Sequence, residues 1–250
     1  MTKRIAALFA ALLLLPLSAH ALTLGEGLTG SYTWPETASP DDAAYVYSYS
    51  YPSAVEDSEA AGLINQFYTY LVDDAMAFLV PMTVGGLDLA ADHAATTIST
   101  EITCLNDAYL SVLVKTEHKT NDIIRNVYAG HTFTLTGDMA GSATNLPRML
   151  GLLDDGETDE WLLQRQTDKA DAAVRKLLWR AIQQGKSTEP VIFYDDLDQE
   201  SLDWLIYPEE DFYLDADGNP VFFFQPGSIA DESYGPVLFA IPFESIDDEL

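Results

Sequence analysis

The sequence predicts an α+β fold, on three observations. Runs that alternate large and small residues at period two gather in two blocks, at residues 45–51 and 96–136. Apolar residues recur at helical spacing over residues 59–79 and 158–185. A final block, residues 212–243, carries two apolar runs and an Asp217-Gly218 turn. Strands and helices segregate, so the expected architecture is an antiparallel meander and a C-terminal hairpin sheet packed against a few helices. The expected order is β-α-β-β-β-α-α-β-β.

Each element has a local reason. Lys3 and Arg4 precede an apolar run over 5–17 and then Ser18-Ala19-His20-Ala21, the pattern of a secretory signal peptide over 1–21 cleaved after Ala21. That run is short against the ~20 residues a membrane span needs. Residues 22–43, with Gly25, Gly27, Gly30, Pro35 and Pro40, read as a flexible lead-in or an edge extension. An N-terminal lobe, 44–143, starts with tyrosines at 45, 47, 49 and 51, a half-buried strand that Pro52 stops. Asp57 or Ser58 caps the next helix, whose stripe is Ile64, Phe67, Leu71, Ala75 and Phe78, and Pro81 and Gly85-Gly86 end it. Strands at 96–105, 109–117 and 123–136 follow with tight links, hence antiparallel. On the first of them Thr96, Ile98, Thr100, Ile102 and Cys104 share a face by period two.

A C-terminal lobe, 144–250, holds the helix at 158–185, a short helix at 195–206 and the Phe-rich hairpin, whose runs are apolar enough to be buried on both faces. The long helix carries Arg165, Lys169, Arg175, Lys176 and Arg180, expected to pair with acids of the same chain. The two lobes together make one module.

The formal net charge is -28, and loss of 1–21 would remove two positive charges and no acids, giving -30. Such a surface repels nucleic acid and anionic membrane and attracts cationic proteins. No stretch after residue 21 is long and apolar enough for a transmembrane segment. Cys104 is the single cysteine, so no intramolecular disulfide forms, and a strand cysteine reads as a small buried hydrophobe.

No pattern assigns a catalytic residue, a metal site or a cofactor. His93, His118 and His131 lack zinc-ligand spacing, and His118, beside a hairpin link, reads as solvated. Ser142 and Ser228 lack the flanking glycines of a nucleophile elbow. The 215–219 stretch reads as a hairpin turn, because a calcium loop would place its glycine later and a glutamate where Pro226 stands. Among so many acids, no carboxylate pair stands out as a hydrolytic one.

Several short stretches carry a resemblance. They are Tyr49-Ser50-Tyr51-Pro52, Ile64-Asn65 with Phe67-Tyr68, residues 106–112, Phe133-Thr134-Leu135-Thr136-Gly137, Asn145-Leu146, Asp211-Phe212-Tyr213-Leu214, Val221-Phe222-Phe223-Phe224 and Ala240-Ile241-Pro242-Phe243. Over residues 44–246 the chain resembles the extracytoplasmic region of RsiV-type anti-sigma factors, a module that also accompanies PdaC-type peptidoglycan deacetylases. The resemblance implies an exported, non-catalytic module at the cell envelope, with a lysozyme-like cationic protein or peptidoglycan as partner; the alternatives are a cell-wall-acting hydrolase or deacetylase-associated protein, and a structural accessory domain. It also implies that the connection before the last strand contacts the ligand. That connection commonly reads Ala-Pro-Tyr-Ala-x-Gly in the family and here reads Ala230-Asp231-Glu232-Ser233-Tyr234-Gly235. The expected binding residues are therefore Asp231 and Glu232 for charge and Tyr234 as aromatic anchor.

Overall fold

A computed structural model describes residues 22–55, 58–88, 91–154 and 156–250. The expected signal peptide and the alternative cap Asp57 lie outside these residues. The architecture is mixed α+β, with one five-stranded and one three-stranded sheet. Among the described residues no helix is long and apolar enough to cross a membrane.

The first sheet has the order β1 (Leu28–Trp34), β2 (Tyr45–Tyr51), β3 (Ala94–Leu105), β4 (Tyr109–Thr120), β5 (Ile123–Thr134). All neighbours are antiparallel except β2 and β3, which run parallel and so need the long crossover between them. Of the two readings for residues 22–43, the edge extension holds for residues 28–34, which pair with β2 as an edge strand.

Helix α1 (Glu59–Asp74) supplies the crossover. Ser58 caps it, accepting from the Ala61 N–H, and Ala61, Ile64, Tyr68 and Val72 turn inward. They meet the β2 tyrosines together with Ile98, Leu110, Val112, Val114 and Phe133 from the same sheet face. The helix does not stop at Pro81. A π turn over Ala75–Leu79, with the Val80 N–H bonded to the Ala75 carbonyl, carries it into α2 (Val80–Gly85) with the proline in its first turn. Proline inside a helix lacks the N–H that would bond back one turn, and the π turn immediately before Pro81 is where the helix accommodates it. The widened turn also rotates the stripe, and Phe78, expected inside, is 69% exposed.

The expected single face of β3 is broken as well. A bulge between Ile102 and Cys104 inserts one residue, so Ile102 opposes Val112 while Cys104 opposes Ser111. The phase of the strand flips there. Cys104 consequently joins a different core from Ile98 and Leu110: that of α4 (Glu160–Gln183) and β6 (Phe212–Leu214), β7 (Pro220–Phe224) and β8 (Val237–Ala240). Every residue of β7 is buried, as its sequence predicts. Short helices α3 (Leu146–Met149), α5 (Leu202–Leu205) and α6 (Phe243–Asp247) complete this part.

The two sheets are stitched by specific contacts. The Ser111 hydroxyl accepts from the Leu214 N–H at 2.9 Å and lies 3.0 Å from the Thr132 hydroxyl, all buried. At Gly130 the backbone of β5 meets that of β6 so closely that a Cβ would stand 1.7 Å from the Phe212 carbonyl oxygen. Beyond this point the Gln225 side chain takes the place of a further strand. Its Oε1 accepts from the Tyr128 N–H and its Nε2 donates to the Tyr128 carbonyl, each at 2.8 Å.

Candidate binding surface

The connection from β7 to β8 is fixed from both ends. Gln225 anchors its start on β5, and Gly227, with φ of +79°, turns the chain. Ile229 and Ala230 are fully buried, and Ala230 forms a bridge with Phe193, whose ring stacks on Phe239 at 6.2 Å. The Tyr194 N–H donates to the Ile229 carbonyl at 3.0 Å, holding residues 192–194 beside the connection.

On this base sits a 3-10 turn, Glu232–Tyr234. Asp231 caps it: its Oδ1 accepts from the Ser233 N–H at 3.0 Å and from the Ser233 hydroxyl at 2.5 Å. These bonds, the hydroxyl first, hold the Asp231 carboxyl below the usual carboxylate range. Asp231 is therefore first a structural cap. Glu232 points to solvent without an ion-pair partner among the described residues, and Tyr234 is 42% exposed. Gly235 closes the turn at φ of +73°.

Sequence reasoning missed the neighbour of this turn. Ile192 is 76% exposed and Tyr194 40%, with Phe193 between them turned inward, the alternation of an extended segment. Asp195 and Asp196 follow, exposed and outside every ion pair among the described residues. Both strips present exposed apolar side chains close in sequence to acids outside every ion pair among the described residues. The signal in sequence was the Ile-Phe-Tyr-Asp-Asp run at 192–196, but only the Phe193–Ala230 bridge places it beside Glu232.

Elsewhere some of the cations are engaged within the chain. On α4, Lys176 and Arg180 pair with Glu249, Arg175 donates to Asp171 at 3.4 Å and to the Ile206 carbonyl at 3.1 Å, and Arg165 lies over the Trp161 ring. Arg148 donates to the carbonyls of Asp154 and Glu157. The Asp215 carboxylate accepts from the N–H groups of Asp217 and Asn219, which makes 215–219 the turn between β6 and β7. His118 is not solvated as expected. It lies half buried on β4, with Nδ1 3.1 Å from the Thr96 hydroxyl, and burial lowers its pKa. His131 packs edge-on against Phe67, and burial lowers its pKa to about 4, so it is neutral at pH 7.

One carboxylate pair was invisible in sequence. Asp171 on α4 and Glu209 in the turn before β6 lie within hydrogen-bonding reach. Asp171 Oδ1 and Glu209 Oε2 are buried and meet no donor among the described residues. Two such oxygens bond each other only through a proton on one of them. Burial, then the Glu209 bond and charge, raise the Asp171 pKa well above the carboxylate range against the opposing pull of Arg175. Glu209 also borders a cavity of about 400 Å³ with His131 and Asp211.

Residues 162–244 match a DUF3298 domain, a protein of unknown function. The DUF3298 match starts within α4, ends in α6 and contains both the 192–196 strip and the 231–234 turn. The chain is also similar to solved DUF3298 structures. One, from Bacteroides fragilis, has 15% identity and a TM-score of 0.48, covering 91% of this chain and 92% of that one. Another, from Pseudomonas aeruginosa, has 10% identity and a TM-score of 0.52, covering 90% of this chain and 93% of that one. The latter likeness is one of fold. No curated protein matches.

Proposed function

We propose that this chain is an exported, non-catalytic recognition module of the kind found in RsiV and PdaC, and that the 192–196 and 232–234 strips take a cationic protein of the lysozyme type. The observation that supports it most is the patch itself. Ile192, Tyr194 and Tyr234 are exposed on two segments joined by the Phe193–Ala230 bridge, and the acids of those segments, Asp195, Asp196 and Glu232, pair with no cation among the described residues. Aromatic anchors with a charged rim are the usual makings of a specific, electrostatically steered interface. Asp231 serves the patch by holding the turn, while Glu232 and Tyr234 make the contacts.

The test is calorimetric titration of the full chain with a C-type lysozyme, at low salt and at about 0.15 M, where charges beyond roughly 8 Å are screened. Saturable one-to-one binding at both is expected. Tyr234→Ala with Glu232→Ala should weaken it about tenfold or more while leaving Tm unchanged. Binding confined to low salt, or an affinity that the double variant leaves alone, would sink this reading and direct the search to peptidoglycan.

A further inference from the structure

The first sheet treats its two edges differently. The β5 edge is blocked at Tyr128 by Gln225 and carries Arg125. The β1 edge, Leu-Thr-Gly-Ser-Tyr-Thr-Trp, has no charge and no proline, the usual devices against pairing with another chain. Among the described residues nothing pairs with its outer side.

The helical layer also stops short of this edge. Tyr45 and Tyr47 of β2 are buried, whereas their cross-strand partners Trp34 and Tyr32 are 41% and 44% exposed. What remains is a groove of about 750 Å³ between β1 and the wall made by Met76, Val80 and Val84, with Tyr45 among its lining. Four consecutive residues, 31–34, border it. Successive strand side chains point to opposite faces, so the main chain of β1 must itself be accessible from the groove.

Charge narrows the occupant. The sequence has no lysine or arginine between Arg4 and Lys115, so the segments around the groove hold no cation of either kind. Glu36 lines it. At the Tyr32 side, Tyr32 stacks on Tyr49, and Asp73 lies near enough to act on the Tyr49 phenol. Neither acid has an ion-pair partner among the described residues. An anionic ligand would meet only repulsion, and a neutral one would leave those acids unused.

We propose that this groove receives an extended peptide segment as an added strand on the outer edge of β1, with apolar side chains entering the groove and basic side chains reaching Glu36 and Asp73. Main-chain pairing supplies affinity, and every second side chain supplies specificity. This site is separate from the 192–196 and 232–234 strips.

The probe is the capped heptapeptide Lys-Thr-Val-Thr-Val-Thr-Lys, as long as β1 and the same pattern in either direction. Two analogues carry backbone N-methyl groups, one on the odd and one on the even amides. Titrated into the full chain at about 0.15 M salt, the parent should saturate below about 1 mM. One analogue should lose affinity about tenfold or more and the other should keep it, because an added strand uses alternate amides. Glu36→Gln with Asp73→Asn should weaken the parent several-fold, and Tyr234→Ala with Glu232→Ala should leave it unchanged. No saturation by the parent, or equal affinity of both analogues, would overturn the proposal, whatever lysozyme does.

Discussion

Asp171 shows how a single residue sets a pH response. Its folded pKa is raised above the unfolded value of about 3.9, so the native state holds the proton more tightly. The stabilising contribution is complete below the unfolded pKa and is lost as pH rises through neutrality toward the folded value. Asp171→Asn keeps a donor toward Glu209 and removes the titration. The variant and the parent should be about equally stable near pH 4, and the variant should gain on the order of 1–3 kcal/mol by pH 8. Urea denaturation at both pH values reads this directly, and a constant gap between the two proteins would contradict the shared proton. His131 titrates in the opposite sense, its depressed pKa costing stability only as pH falls toward 4, and cancels in the comparison.

Between elements, two glycines make contrasting demands. Gly130 lets β5 and β6 touch, and the Cβ of Gly130→Ala would collide with the Phe212 carbonyl, a backbone atom that cannot move alone. The expected loss is about 3 kcal/mol or more, beyond ordinary overpacking because two sheets must part. Gly62, inside α1, has open space around its missing Cβ, so Gly62→Ala should stabilise by about 1 kcal/mol through helix propensity. Thermal melts of both variants check the pair, and a neutral Gly130→Ala would mean the inter-sheet contact is loose. Much at this scale was legible in sequence: the tyrosine alternation of β2, the Ser58 cap and the wholly buried β7. The β3 bulge and the π turn were not, because each inserts or re-phases one residue without a local sequence marker and is chosen by what the strand or helix must pack against.

Across the whole molecule, 40 acids against 12 basic residues make self-repulsion the main long-range force. Raising NaCl from about 0.02 to 0.5 M should therefore raise Tm by several degrees, as measured by calorimetry. A falling Tm would mean that the few ion pairs, chiefly those of Glu249 with Lys176 and Arg180, outweigh the repulsion. Beyond residue 114, where ten of the cations lie, four of them (Lys115, Arg175, Lys176 and Arg180) form ion pairs among the described residues, so most acids stay uncompensated, those of the 192–196 strip and the β1 groove among them.

The sequence by itself determined the α+β class, the acidity, and which strands would be buried, because periodicity and composition act locally. Asp231, Glu232 and Tyr234 could be placed on a connection, but not that Asp231 is occupied as a cap or that Ile192 and Tyr194 stand beside it. Only the tertiary structure decided those matters, along with the Asp171–Glu209 pair and the open edge of β1. Each depends on residues far apart in the chain meeting across packed layers, and no local rule of spacing encodes which ones will meet.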